Sequence, residues 1–586
     1  MTVDNLPKWD LSDLYNSIDD KQLDKDLKDL DKETLNFAKK YKGKISQCSG
    51  DELYQAIKQY EKISESIAKI MSYAGLLNAV NVLDTKISSF YQNMNEKITL
   101  LSSNILFFGL EINKIEDDEL ENKFKQSNDL KFYQSVINDL RVSRHHQLSD
   151  EVEQVLLEKS ASGSSAWRRL FGQTMAELEF KVDGKSLNES EILDLMTNGN
   201  ESQRKTATLE FGRVLNKNIK TFALITNTLA KDKEISDRLR NYKTPVSARN
   251  IDNLVEDEVV DALINSVKNN YKNISHRYYK LKAKWMGVEK LNLWDRNAPL
   301  PESDDTKTSY NDAVELVLDA YNDFSPKLHS VAKKFFDNEW IDVGVRKGKR
   351  SGAFAHPCVP SAHPYLMLNY QGTNRDIMTL AHELGHGCHQ VLASSQGFLK
   401  SQTPLTLAET ASVFGEMLTF RKILDNCQDA NTRRILIANK IEDMINTVVR
   451  QVAFFEFEKL VHTNRKNGEL SPEQLGEYWM KVTKESLGDA FNYEDWYKDF
   501  WAYIPHFIHS PFYVYAYAFG DCMVNSIFSL YQDGFEDFEE KYLQMLSSGG
   551  SLRHQELLAM FNLDATKIDF WEKGLGVIIS FIDEIE

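Results

Sequence analysis

The chain has 586 residues, 42% apolar and 27% charged, a balance that excludes a fibrous or mostly disordered protein. Its 70 Lys and Arg against 87 Asp and Glu leave a net charge of −17, which repels phosphate backbones and speaks against nucleic acid as a partner. A chain this long can bury a core without disulfide or metal staples, and its five cysteines never fall in a CxxC spacing, so free thiols in a reducing, cytoplasmic setting are expected.

The opening MTVDNLPKWD has no basic stretch followed by an apolar one, so no secretory signal is expected. No apolar run approaches the roughly 20 residues that cross a bilayer, so no membrane partner is expected either. Proline is absent between Lys8 and Thr244, which predicts helices joined by short polar turns. Ile63, Ile67, Ile70, Ala74 and Leu77 mark one buried helical face, and residues 88–112 and 150–170 are similarly periodic. Leu178 to Val182 alternates apolar and polar before Asp183-Gly184, which predicts a small hairpin. A soft boundary falls at Asn198-Gly199-Asn200. It gives an N-terminal helical domain, residues 1–200, ending in the hairpin, and a helical domain, residues 201–586, carrying the motif described below. Pro299, Pro301 and Pro326, with Ser303 to Asp305, mark loops. Tyr365 to Tyr370 follows Pro364 and reads as a strand; an exposed edge there could pair with an extended peptide backbone. The fold class expected is all-α with a few short strands.

The segment Thr379 to Gln390 contains His382-Glu383-x-x-His386. On a helix, residues four apart share a face, so the two imidazoles can bind one zinc ion at about 2.0–2.1 Å. Glu383 lies about 100° further round, beside the metal, where a general base for an activated water belongs. Ile377, Ala381, Leu384, Cys388 and Val391 form an apolar stripe on the other side. Gly385 and Gly387 weaken the helix, for close approach of substrate or backbone or for tight packing. A catalytic zinc wants a third protein ligand and an open position. Residues 387–408 hold no acid, and Glu409 is the first. Thr403-Pro404 reads as an N-cap and first position, which would put Glu409 inside a second helix among apolar neighbours. Glu416 follows two turns on, placed either to orient a metal-bound histidine or to form an ordinary salt bridge. The pattern HExxHxxGxxH fails, because His389 and Leu392 stand where it needs Gly and His. His389, His356 and His363 read as structural.

The stretch LMLNYQGTNRDIMTLAHELGHGCHQ, followed by LAETASVFGE, resembles the oligoendopeptidase F branch of the thimet oligopeptidase family of zinc metallopeptidases. Lys8 to Tyr15, Ala166 to Phe171, Leu293 to Leu300 and Ile504 to Phe507 resemble it too, in order along nearly the whole chain. The resemblance implies an almost all-helical, two-lobed zinc-peptidase fold with a deep central cleft. It implies a cytosolic enzyme that cuts short peptides, with zinc on His382, His386 and Glu409 and with Glu383 as base and proton shuttle. The family also places a His and several Tyr near the metal from a late segment, matched here by residues 504–520. There Ser510-Pro511 reads as a helix start, His506 is favoured over His509, and Tyr513, Tyr515 and Tyr517 are the phenols on offer. His506, Tyr513 and Tyr515 are the candidates for holding an oxyanion. A related helical zinc carboxypeptidase, or a non-catalytic peptide-binding module with a structural metal, are the other readings.

Overall fold

A computed structural model describes residues 6–301 and 307–586. The chain is predominantly helical, with short strands. In chain order, the elements that matter are α1 (Lys21–Tyr41), α2 (Gly50–Ala79), α3 (Thr85–Ser103), β1 (Phe180–Val182), β2 (Lys185–Leu187), α4 (Glu201–Leu239), α5 (Tyr310–Phe324) and α6 (Pro326–Asp337). They continue with β3 (Ile341–Gly344), β4 (Phe354–His356), β5 (Tyr365–Tyr370), α7 (Asn374–Ala393), α8 (Thr410–Asn426), α9 (Ala430–Thr447), α10 (Val449–Arg465), α11 (Pro472–Leu487) and α12 (Tyr515–Gln532). No single described helix is long and apolar enough to cross a membrane.

The chain divides into two compact units, each assembled from three stretches. The first comprises Met1–Arg144, Asp305–Asn426 and Leu530–Asn562; the second comprises His145–Asp304, Cys427–Ser529 and Leu563–Glu586. This division differs from the single boundary near residue 200. Asn200 is instead the N-cap of α4, its side chain accepting from the Gln203 N–H. The expected hairpin forms, with Asp183 and Gly184 both at positive φ in its turn, but it packs onto α4. Phe180 stacks on Phe211 at 5.1 Å, and the Lys181 N–H donates to Glu210. These contacts tie residues 145–200 to the second unit rather than to the helices before them.

In the first unit, α2 carries the apolar stripe of the sequence, with Ile63, Ile70 and Ala74 fully buried. The opening segment lies against a three-stranded sheet: Trp9 meets Tyr365 edge-on, and the Val343 N–H donates to Pro7. The sheet order is β3-β5-β4, with β3 parallel and β4 antiparallel to β5. The strand expected at 365–370 is therefore present, but as the central strand. Its near-continuous burial, against both neighbours, leaves no free edge for a peptide; the outer strand on that side is β4.

Candidate metal centre

Helix α7 starts where its sequence dictates. Thr373 accepts from the Asp376 N–H, and the Asp376 carboxylate accepts from the Thr373 N–H, a reciprocal capping box. Ile377, Ala381, Leu384 and Cys388 sink into the core of the first unit. The two glycines are packing devices, not substrate contacts. A Cβ on Gly385 would overlap the backbone of Ala411, so α8 crosses α7 at that point. A Cβ on Gly387 would lie 2.6 Å from the Phe335 ring of α6. The Tyr321 hydroxyl of α5 then donates to the Ala381 carbonyl at 2.8 Å. This close approach brings the start of α8 beside the histidines.

Glu409 does not sit inside a helix that begins at Thr403-Pro404. Pro404 is itself the N-cap of a four-residue helical turn, Leu405–Ala408, and Glu409 is the junction between that turn and α8. The outcome is a tight triangle. His382 Nε2 and His386 Nε2 are 3.1 Å apart, and each is 3.5 Å from Glu409 Oε2. Donors on a tetrahedral ion with bonds of about 2.0–2.1 Å stand roughly 3.3 Å from one another. The three atoms therefore fit one divalent ion, and among the described residues no other group of three or more such side chains is drawn together in this way.

The surroundings fix the donors. His382 Nδ1 lies 2.6 Å from Glu416 Oε1, the carboxylate–imidazole pairing that orients a metal-binding ring. His386 bonds to the Ala408 carbonyl, and Ser412 Oγ donates to Glu409 Oε2 at 2.6 Å. Ser412 and the short turn carrying Ala408 were not singled out in the sequence; the signal was their spacing of three and one residues from Glu409. Glu383 is buried and accepts from the Ala355 N–H on β4. Burial pushes its carboxyl up to about 7, with the Glu409 and Glu416 charges adding to the effect and His382 opposing it. Burial opposes charge on His382 as well, yet the Glu416 hydrogen bond and the three neighbouring carboxylates outweigh it and hold the ring at about 9. His386 moves the other way, down to about 4, chiefly through burial.

His389, His356 and His363 each have partners within the fold. His389 is buried, 3.3 Å from Thr403 Oγ1, and burial lowers it to about 4. His356 meets Ser72 at 2.8 Å, while His363 pairs with Asp13 at 2.9 Å and stacks on Trp340 at 3.9 Å.

The late segment lies in the second unit. It does not begin a helix at Ser510-Pro511. Phe512 adopts φ 60°, residues 511–514 form turns, and α12 starts at Tyr515. His506 Nε2 lies 3.2 Å from the Tyr517 hydroxyl, and the Tyr513 and Tyr517 rings meet at 5.3 Å. His506, Tyr513 and Tyr517 thus form one accessible cluster. Tyr515 is not part of it. Its ring is fully buried against Phe455, and its hydroxyl accepts from Asn253 Nδ2 at 2.9 Å. The role offered to Tyr515 is corrected accordingly: the turn at 511–514 rotates it into the core.

A family model described as Peptidase family M3 matches residues 194–577, and one described as Oligopeptidase F matches residues 111–180. The chain belongs to peptidase family M3. Within that family it stands in the oligoendopeptidase F branch, and it is an enzyme, a metallo-oligopeptidase. Its relatives include the oligopeptidase PepF of Bacillus subtilis, 28% identical over 99% of this chain and 86% of that one. An oligoendopeptidase F homolog of Borreliella burgdorferi is 26% identical over 99% and 98%. The oligoendopeptidase-F structure from Enterococcus faecium superposes with a TM-score of 0.72 at 22% identity, covering 96% of this chain and 98% of that one. At that identity the last likeness shows the large helical fold of M3 peptidases.

Proposed function

We propose that this M3 peptidase is a zinc-dependent oligoendopeptidase, cutting internal bonds of short peptides by attack of water with Glu383 as general base. The observation that carries the reading is the triangle of His382, His386 and Glu409, with buried Glu383 on the same helix. A divalent ion held by those three side chains supplies Lewis acidity, activating a water and polarising a scissile carbonyl. The protein's own part is proton transfer and positioning. Glu383 takes the proton of the attacking water and passes it to the leaving amine; a carboxyl with affinity near neutrality can do both. The Ala355 N–H holds one side of that carboxylate, and Glu416 keeps the His382 ring turned toward the triangle. His506 and Tyr513 keep the role of oxyanion donors, with Tyr517 in hydrogen-bond reach of His506. No covalent enzyme intermediate is required. Zinc is the ion proposed, although a His, His, Glu set also suits manganese or cobalt. The free state of all five cysteines supports a cytoplasmic setting.

Two variants and one substrate test this reading. His382→Ala is expected to lose the metal. Glu383→Ala is expected to keep one metal per chain and to lose about 10²–10⁴-fold in peptide hydrolysis. A short fluorogenic peptide blocked at both ends is expected to be cut internally by the native enzyme. Full activity of Glu383→Ala, or cleavage only after the C-terminus is unblocked, overturns it.

A further inference from the structure

Within the second unit, residues far apart in sequence close around a small cavity. Arg296 comes from the loop after residues 293–295, Asn446 from α9, Arg450 from α10, Trp479 from α11, and Tyr497 from the 495–503 turn. Val449 and Phe454 supply apolar wall, and no Asp or Glu is among the described residues that line it. Two guanidinium groups therefore share a cavity that holds no carboxylate of its own.

Their donors are underused. Arg450 gives one N–H to the Tyr503 hydroxyl at 3.1 Å, but its Nε is buried without a hydrogen-bond partner among the described residues. Trp479 is 3% exposed, and its Nε1 likewise finds no hydrogen-bond partner among the described residues. The Arg296 side chain has no hydrogen bond or ion pair to a described residue. Glu442, the acid whose charge bears on Arg296, is already engaged through Oε1 by Lys282 and Tyr278, each at 2.6 Å. Burying cations and donors without compensation is costly, and a counter-charge would offset it. Burial drives the Arg450 guanidinium below its ordinary range, and the charge of Arg296 adds to this; at Arg296 burial acts in the same sense but Tyr497, Tyr279, Tyr503 and Glu442 outweigh it and hold that group above its range.

We propose that this cavity is a binding site for one small monovalent inorganic anion of chloride size, held by Arg296, Arg450 and the Trp479 indole N–H. The free space is about 20 Å³, room for roughly one water-sized particle and too little for a phosphate or a peptide carboxylate. Asn446 presents at the same wall an Oδ1 with no hydrogen-bond partner among the described residues. A half-turn of its amide brings the NH₂ there instead, so the residue becomes a further donor when the anion is bound. The site also reaches the late segment, because Arg450 holds Tyr503, three residues before His506.

Bromide serves as the probe. Crystals of the whole chain grown in bromide are expected to show an anomalous peak among Arg296, Arg450 and Trp479. In solution, thermal unfolding in chloride against gluconate, at equal ionic strength, is expected to show a Tm about 2 °C or more higher in chloride. Trp479→Phe keeps an aromatic ring at the wall but removes the N–H donor, and should raise the half-saturating chloride concentration about tenfold. Arg296→Gln and Arg450→Gln should abolish the chloride effect. If the arginine variants do not fold, the bromide map of the native chain decides. A cavity without a bromide peak, with equal Tm in the two salts, overturns the proposal.

Discussion

The two polar clusters of this enzyme are built on different principles. In the first unit, His382, Glu383 and His386 ride one continuous helix whose cap and apolar face are local in sequence, and only Glu409 and Glu416 arrive from elsewhere. In the second, His506, Tyr513 and Tyr517 flank a break in the helix. That break is imposed from a distance. Buried Glu458 of α10 accepts the Phe512 N–H at 2.9 Å, and Arg249 Nε donates to the Pro511 carbonyl at 3.2 Å. Holding Phe512 at positive φ costs energy that a regular helix would not spend, and these distant groups supply the compensation. A cluster on one helix needs little beyond periodicity; a cluster across a turn needs partners that fix the turn.

The comparison is broken most sharply by two tyrosine variants. Tyr513→Phe is expected to lower kcat by about 10²–10³-fold if that phenol meets the oxyanion. Tyr515→Phe should leave kcat within about twofold and cost roughly 0.5–1.5 kcal/mol of stability, because only its bond from Asn253 is lost. Steady-state kinetics and urea unfolding separate the two, and equal kinetic effects would contradict the division of roles. On the first-unit side, Glu416→Gln should weaken metal affinity about 10–100-fold while the helix stays folded, as read by chelator competition.

Glu458 tests the distant support itself. Burial raises its carboxyl from 4.5 to about 8 in the folded chain. Between those values the folded state binds a proton that the unfolded state lacks, so stability is full below pH 4.5 and is lost as pH rises through about 8. Glu458→Gln keeps an acceptor for Phe512 without the ionisation. Its stability relative to the native chain should therefore rise from pH 5 to pH 9, measured by urea unfolding at each pH; a flat difference would remove the buried carboxyl from the account. The last test is of packing: Gly385→Ala, which sets a methyl against the Ala411 backbone, should cost about 1–3 kcal/mol, seen as a fall in Tm.

Much of this was legible before any coordinates. The HExxH spacing, the cap at Thr373 and the stripe from Ile377 to Cys388 pointed to α7 and to the face that His382 and His386 share, because helix geometry depends on neighbours three and four residues away. The Asp183-Gly184 turn and the strand at 365–370 were equally local. Three readings missed for a shared reason. Tyr365 to Tyr370 became a central strand because two separate earlier segments, Ile341–Gly344 and Phe354–His356, pair with its two sides. Glu409 became a junction because α8 closes on Gly385. Tyr515 turned inward because Glu458 and Arg249 hold the preceding turn.

The sequence by itself determined which side chains could bind a cation and which helix would carry two of them, since a 3.6-residue period is written in adjacent residues. Tertiary structure decided where Glu409 stands, which tyrosine is accessible, and that Arg296, Arg450 and Trp479 share one cavity. Those outcomes depend on backbones meeting across tens to hundreds of residues, and no local pattern encodes such a meeting.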